Sequence, residues 1–398
     1  MPLCDRLKKE LPRSWFIGII IGGICGIAIV GILAGYSLGF GTAQCGLPPT
    51  DIMVMKLGPD GNVQWQARID SGADDPANEI VPTPDGGYVL SGRNDFQTSP
   101  PAARLIRLNR SGGMEWDRWY LEYPGGFTDL FPNPAGGFFA GTILPGKILI
   151  LDAEGNVSRE IPFADYGYAS YVAPANDGGF FVLAENLSGR NSTLVSLNAD
   201  GHELWRRDAL SLIALHDRSL LPVSDGGCLI EGHADDVREL NYFRFDSSGR
   251  VVWNATLGQS WDNRPVLMAE VRPGTFEIFY ESARKSDVTP MNVLETFSVT
   301  FDDNGTVLQQ RMPDISPPIT HIFGQDYFAA RFRENDAGSL YGYGTPHLIV
   351  RMRDDGQFVW QTPVPSDWHA VIRIAPTPDG GAVVLGSAWQ RQKILSCL

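Results

Sequence analysis

Cysteine and histidine are scarce in this chain of 398 residues, which holds five of the first and six of the second. So few cysteines exclude a small disulfide-dense scaffold, which needs several bridges in place of a core. The histidines are His202, His216, His233, His321, His347 and His369, and no two stand at a metal-ligand spacing such as H-x-H or H-E-x-x-H. There is no P-loop and no legible Ser-His-Asp order. Basic residues are outnumbered, 32 against 46 acidic, for a net charge of −14. An acidic surface repels phosphate backbones, so nucleic acid is excluded as a partner.

Charge is also missing locally. No charged residue falls between Ser14 and Thr50, and Trp15 to Phe40 is apolar apart from Ser37 and its glycines. A bilayer core of about 30 Å needs roughly 20 apolar residues as a helix, and this run is long enough. The flank before it carries Arg6, Lys8, Lys9 and Arg13 against Asp5 and Glu10. A net positive flank stays in the cytoplasm and places the chain beyond the span outside. The expected order is therefore a cytoplasmic flank (1–13), a transmembrane signal-anchor helix (14–40), a linker (41–50) and an exported domain (51–398). The competing reading is a cleaved signal peptide, with Gly41 and Ala43 as the small residues before the cut. Signal h-regions run about 7–15 residues, so the length favours an uncleaved anchor. Gly18, Gly22 and Gly26 repeat at four-residue spacing, a small-xxx-small ridge that suits a homodimer of anchors. Glycine is also simply common in spanning helices.

The exported part repeats itself. A turn ending in glycine is followed four residues later by tryptophan in DGNVQW (Gly61, Trp65), and further on comes PTPDGGYVLSG (Pro82 to Gly92). The last copies read DGQFVW (Gly356, Trp360) and PTPDGGAVVLGS (Pro376 to Ser387). The turn glycines are Gly61, Gly112, Gly155, Gly201, Gly249, Gly305 and Gly356. Tryptophan follows in five copies, as Trp65, Trp116, Trp205, Trp253 and Trp360, while Arg159 and Gln309 stand in the other two. Period-2 apolar runs bracket each turn, among them IMVMKL (Ile52 to Leu57), RLIRLN, KILILD, TLVSLN and HLIVRM. A strand, an Asp-Gly or Asn-Gly turn and a second strand signal a hairpin. Two hairpins per repeat of about 45 residues make one four-stranded antiparallel propeller blade. The fold class is thus all-β, a seven-bladed β-propeller behind one transmembrane helix. Large flat indoles suit the wedge between blades, which gives the five tryptophans an inter-blade structural role. The chain begins on one kind of hairpin and ends on the other, so one blade must be shared between the termini. Either IMVMKL or KILSCL (Lys393 to Leu398) takes the remaining slot in it.

The pattern L-x-x-D-G-x-x-x-W followed by P-T-P-D-G-G-Y-V-L-x-G resembles exported propellers of the pyrroloquinoline-quinone-like repeat type, found in archaeal and bacterial cell-surface proteins. The resemblance implies architecture only. Quinoprotein dehydrogenases of that superfold carry a Ca²⁺ carboxylate set and a pair of adjacent, disulfide-linked cysteines, and no adjacent pair exists here. No cofactor is therefore expected.

The remaining candidates are few. His233 lies near Asp235 and Asp236, an imidazole beside carboxylates or a solvated loop. Asp60, Asp152, Asp200, Asp302, Asp303, Asp354 and Asp355 sit at turns. Ca²⁺ needs six to eight oxygens from a compact loop, so these read as Asx turns rather than a metal site. Six N-x-[ST] sequons, at Asn109, Asn156, Asn186, Asn191, Asn254 and Asn304, suit a glycosylated exterior, although turns are built of the same residues. Cys4 lies in the flank, Cys25 in the span, and Cys228 reads as a small buried strand residue. Cys45 and Cys397 remain, either as two free thiols or as a disulfide stapling the ring. No catalytic residue is assigned. The leading expectation is a non-catalytic, membrane-anchored module for a protein or glycan partner. The rival is an exported enzyme, quinone-dependent or hydrolytic, with its site in the central channel.

Overall fold

The computed structural model describes residues 49–71, 74–93, 102–142, 146–163, 168–185, 192–210, 220–234, 237–257, 264–285, 292–313, 315–322, 326–332, 346–353 and 355–390. Among them no helix is long and apolar enough to cross a membrane. The proposed span, Cys45, Cys397 and Gly18, Gly22 and Gly26 lie outside them.

Among the described residues twenty-eight strands form seven four-stranded antiparallel sheets. Blade 2 runs outwards from β3 (Ala77–Pro82) through β4 (Tyr88–Arg93) and β5 (Ala103–Leu108) to β6 (Met114–Tyr120). Blade 3 continues with β7 (Phe127–Pro132), β8 (Phe138–Thr142), β9 (Lys147–Leu151) and β10 (Val157–Pro162). Blade 4 holds β11 (Tyr168–Pro174), β12 (Phe180–Glu185), β13 (Ser192–Leu197) and β14 (Glu203–Leu210). In blade 5 are β15 (Leu220–Pro222), β16 (Cys228–Ala234), β17 (Val237–Phe245) and β18 (Val251–Leu257). Blade 6 comprises β19 (Arg264–Arg272), β20 (Thr275–Lys285), β21 (Asn292–Asp302) and β22 (Val307–Arg311). Blade 7 comprises β23 (Ser316–Ile322), β24 (Asp326–Phe332), β25 (Pro346–Arg353) and β26 (Phe358–Pro363).

Blade 1 is made from both ends of the ring. Its inner hairpin is β27 (Trp368–Pro376) and β28 (Ala382–Trp389), and its outer hairpin is β1 (Thr50–Leu57) and β2 (Val63–Ile69). β1 pairs with β28 along its whole length, from Thr50 opposite Trp389 to Leu57 opposite Ala382. IMVMKL therefore occupies the contested slot. Residues 393–398, which include KILSCL, lie outside the described residues. The Gln390 N–H donates to the Pro49 carbonyl at 2.9 Å, so the two ends of the ring leave it side by side.

Sequence explains the local form. In the outer hairpin of blade 1 the Gly61 N–H donates to the Gly58 carbonyl at 3.0 Å, and Gly61 has a φ of 81°. That left-handed conformation is open to glycine at no steric cost. All seven outer hairpins carry a register shift at the same place, for example between Lys56 and Leu57 and between Arg351 and Met352. A type I turn, a left-handed glycine and a bulge form a three-residue hairpin connection, and the bulge adds twist. Of the aspartates read as turn residues, Asp60, Asp152, Asp302 and Asp355 cap turns, and Asp354 lies outside the described residues. Asp60 Oδ1 accepts the Asn62 N–H at 3.1 Å, Asp302 Oδ1 accepts from Asn304 and Thr306, and Asp355 Oδ1 accepts from Gln357.

Middle strands are buried on both faces because each blade packs between two others. β1 and β5 are buried through almost every residue, and Cys228 lies fully buried in β16. Each buried Val, Leu or Ile contributes about 1.5–3 kcal/mol.

Between blades, an indole from one outer strand lies on the outer-turn glycine of the next blade. A Cβ on Gly112 would come within 2.6 Å of the Trp65 ring, and one on Gly249 within 2.6 Å of Trp205. Trp116 covers Gly155, Trp253 covers Gly305, and Trp360 covers Gly61 across the closing seam. Three of these indoles also donate Nε1–H to a turn carbonyl: Trp65 to Arg110, Trp205 to Ser247 and Trp360 to Pro59, at 2.8–3.0 Å. Arg159 replaces the indole between blades 3 and 4 and donates to the carbonyls of Ala199 and Asp200 at 3.1 and 2.7 Å.

Closure through β28 makes the ring a single cooperative unit. Deleting residues 379–398 removes β28, and the truncated protein is expected to lose its cooperative melting transition. A truncation that melts like the full-length protein in calorimetry would show that closure does not hold the ring.

Candidate functional site: the central channel

The first strand of each blade faces the axis, and these seven strands enclose a cavity of about 510 Å³. Its wall is mostly apolar, with Ile80, Leu130, Val172, Leu221, Met268 and Ile374 among its residues. Five of the seven axial strands end on proline: Pro82, Pro132, Pro174, Pro222 and Pro376. An axial strand is a sheet edge, and proline removes an edge donor that would otherwise invite pairing.

Charge enters at one position. Three residues before the terminal proline stand Arg373, Glu79 and Asp129 on blades 1, 2 and 3, with Tyr171 in the same place on blade 4. Arg373 Nε lies 3.0 Å from Glu79 Oε2, with both side chains mostly buried. Asp129 Oδ2 accepts the Val172 N–H of blade 4 at 2.9 Å. The links continue round the ring. Asn176 Nδ2 donates to the Val223 carbonyl at 2.8 Å, while Ser224 N–H and Oγ–H donate to the Glu270 carboxylate at 2.6 and 2.7 Å. Each link joins one blade to the next. The charged groups of the channel, Arg373, Glu79 and Asp129, are thus ties between blades, a use that pairs buried polar groups.

A second set of charges lies inside the blades. Lys56, Arg107, Arg244 and Arg351, all at the same repeat position five residues before the turn glycine, reach back to the inner turn of their own blade. Lys56 Nζ meets Asp379 at 2.8 Å, Arg107 meets Asp85, Arg244 meets Asp225 at 2.5 Å, and Arg351 meets Asp326 at 2.7 Å. Lys56 also donates to the Leu57 carbonyl at 2.6 Å. The Thr83 hydroxyl and the Arg107 guanidinium hold the Asp85 carboxyl down at about 2. Asp225 and Asp379 are partly desolvated, which opposes ionisation. Their hydrogen bonds to Arg244 and Lys56 prevail, and both stay below the ordinary value of 3.8.

Two further clusters sit at seams. Carboxylate oxygens of Asp51, Asp70 and Asp75 lie within 4.8 Å of one another at the seam of blades 1 and 2. Their charge is answered by Arg68 on Asp51 at 2.5 Å and Arg104 on Asp75 at 2.5 Å, and Gln390 Nε2 donates to Asp51 at 2.8 Å. At the seam of blades 6 and 7, buried Glu277 accepts from Ser298, Tyr327 and Arg311, the last at 2.7 Å. Burial, then Glu277 itself, pushes the Tyr327 hydroxyl far above its ordinary value.

The residues singled out by sequence are not brought together at the channel. The five tryptophans stand on the outer strands. Asp235 and Asp236 lie outside the described residues, as do Asn186 and Asn191. His202 is exposed beside an outer turn, and the His369 ring lies tilted against the Trp389 ring, their centroids 4.1 Å apart. Asn254 and Asn304 are exposed. Asn109 Oδ1 instead accepts from the N–H groups of Ser111 and Gly113, and Asn156 Nδ2 donates to Asp152.

No known protein-family profile matches the chain, and no curated protein matches it by sequence. Solved structures do match in shape. Hydrazine synthase of Kuenenia stuttgartiensis is 11% identical, covering 80% of this chain and 97% of that one, with a TM-score of 0.53. The WD40 domain of Toxoplasma gondii coronin is 11% identical, covering 87% and 88%, with a TM-score of 0.50. Virginiamycin B lyase from Staphylococcus aureus, 11% identical over 84% and 99%, reaches 0.47 and carries no argument. The first two likenesses support the fold alone and say nothing of activity.

The buried cations give stability a pH signature. Asp85, Asp225 and Asp379 have folded-state values below 3.8, so their contribution is present above about pH 4 and lost as pH falls towards about 2. The melting temperature is expected to stay level from neutral pH to about 4.5 and to fall below that. Lys56→Met should flatten part of the fall, and an unchanged acid limb in that variant would contradict the assignment.

Proposed function

We propose that this protein is a membrane-anchored propeller displayed outside the cytoplasm, a non-catalytic module that binds a protein or glycan partner. The observation that carries the non-catalytic part is the use of the channel's polar groups. Glu79, Arg373 and Asp129 tie blade to blade, and the surrounding wall is apolar. The anchor rests on the uncharged run from Trp15 to Phe40 and its basic flank. On the same reading glycans belong on the exposed Asn254 and Asn304, whereas Asn109 caps a turn and the side chain of exposed Asn156 is bonded to Asp152 and Arg118. Gly18, Gly22 and Gly26 supply a close-packing face for a second anchor helix. A bridge between Cys45 and Cys397 is part of the proposal. A loop this long gives about 5 kcal/mol in the chain-entropy model, less any strain.

One observation favours a second reading, an exported enzyme. Arg373, Glu79 and Asp129 converge on the axis from three consecutive blades, an arrangement that hydrolytic sites also use. Quinone dependence has less support, since the chain has no adjacent cysteine pair.

Protease added to intact cells is expected to remove the propeller and leave a small anchored stub, and the released domain should yield Cys45 and Cys397 peptides joined under non-reducing conditions. Complete protection would overturn the topology, and free, alkylatable thiols would rule out the bridge. A Glu79→Gln, Asp129→Asn double variant should restore whatever phenotype deletion of the gene causes. A folded double variant that fails to restore it would move the assignment to the enzyme.

A further inference from the structure

Six of the seven outer-turn glycines are covered by a side chain from the preceding blade. Five lie against an indole, and Gly201 lies against Ile161 beside Arg159. Gly356 of blade 7 differs. A Cβ built there meets nothing within 4 Å among the described residues, and Gly356 is exposed where Gly61, Gly155 and Gly249 are buried. Its φ of 86° matches theirs, so the receiving half of the contact is formed in full. The donor half is missing because Gln309 on β22 stands where the other blades carry tryptophan, and Gln309 itself is exposed.

An exposed apolar side chain stands on the seam side of this gap: Val359 of blade 7, which alternates with Trp360 along β26 and is 40% exposed. The outer strands of blades 1 and 2 alternate between exposed and half-buried residues, whereas β22 is exposed from Val307 to Gln310. Deeper in the same seam, Glu277, Arg311, Tyr327 and Ser298 form their buried network. The seam is therefore held closed from within and left open at its rim. A slot that the other seams fill with a large side chain, beside an exposed apolar residue, is a place where a further large side chain can be buried.

We propose that the rim of the seam between blades 6 and 7 is a socket for a tryptophan side chain presented by a protein partner on an exposed, extended segment. The chain itself defines the occupant. Five copies of the same receiving geometry are filled, each by an indole lying on a left-handed glycine. In each case the indole is carried by the outer strand of a sheet, and β22, the outer strand of its own sheet, offers an edge to a strand of the same kind. Tryptophan is also the residue whose burial most often anchors a protein interface. The inference rests on reading the propeller as a binding module. Its test needs neither membrane nor native partner, so it can fail without the topology failing, and the reverse.

The probe is a peptide with the sequence of Gly61 to Arg68, GNVQWQAR, carrying 5-fluorotryptophan and observed by ¹⁹F NMR with the full chain in detergent micelles. The wild-type protein should broaden the fluorine line at sub-millimolar to millimolar peptide. Unlabelled peptide should reverse the broadening, and the same peptide with alanine for tryptophan should not. Gln309→Trp fills the socket from within, so it should reduce the broadening at least tenfold while melting no lower than wild type. Val359→Asp, a change at an exposed rim position on the blade 7 side, should weaken binding several-fold and serves as the test if Gln309→Trp does not fold. No broadening by wild type, or equal broadening by wild type and both variants, would overturn the proposal. Concentration-dependent self-association of wild type that Gln309→Trp abolishes would also overturn it, by giving the socket to a second copy of the chain.

Discussion

An indole laid on a glycine is the contact on which this ring depends. A closed toroid requires every blade to present one face to the blade before it and the other to the blade after it, without a gap that accumulates round the circle. The outer rim is where adjacent blades diverge most, and at five of the seven seams a large flat indole fills the space there. The backbone that receives it must lack a Cβ, because even one added carbon on Gly61 or Gly112 would sit within 2.6 Å of the ring. The left-handed turn that ends each outer hairpin supplies that glycine for a separate reason, the geometry of the hairpin itself. One residue therefore satisfies the turn and the seam together.

Charged groups do different work at different radii. On the axis, Arg373 with Glu79 and Asp129 with the Val172 amide cross from blade to blade. Within blades, buried cations on the third strand fasten the inner hairpin turn. At the two seams that carry dense polar clusters, Arg68 answers Asp51 and Arg104 answers Asp75 beside the point where both ends of the ring meet, and Glu277 gathers three donors where no indole is present. A buried pair of this kind is weak evidence for net stability but strong evidence for a unique arrangement, since removing one partner leaves an unanswered charge. The charged groups of the channel are committed to joining blades, and that is the physical basis for reading it as framework.

Much of this was legible in the sequence because repetition multiplies a weak signal. One DGNVQW is a turn, and seven related phrases are a ring. The shared blade was implied by which hairpin the chain starts and ends on, and β1 does pair with β28. The occupant of the contested slot was not legible, because IMVMKL and KILSCL are equally apolar and only register separates them. The buried cations were missed although their trace is visible. Lys56, Arg107, Arg244 and Arg351 occur in the blades whose inner turn offers Asp379, Asp85, Asp225 and Asp326, while Ile150 faces a turn with Ala135 in that place. That pattern needs the repeats aligned at two positions at once. Axial residues such as Glu79 and Arg373 are almost 300 positions apart in the chain, and no local spacing can pair them.

Tryptophan-on-glycine seams, more than strand closure alone, set the stability of the ring, and Trp360 is the indole that joins blade 7 to blade 1. The most direct measurement compares the unfolding free energies of Trp360→Ala and Gln309→Ala with that of wild type. Removing the indole should cost about 3 kcal/mol, within the range for a large aromatic truncated against packed neighbours. The glutamine, which fills no seam, should matter by no more than about 0.5 kcal/mol. Equal and small losses in both variants would contradict the account.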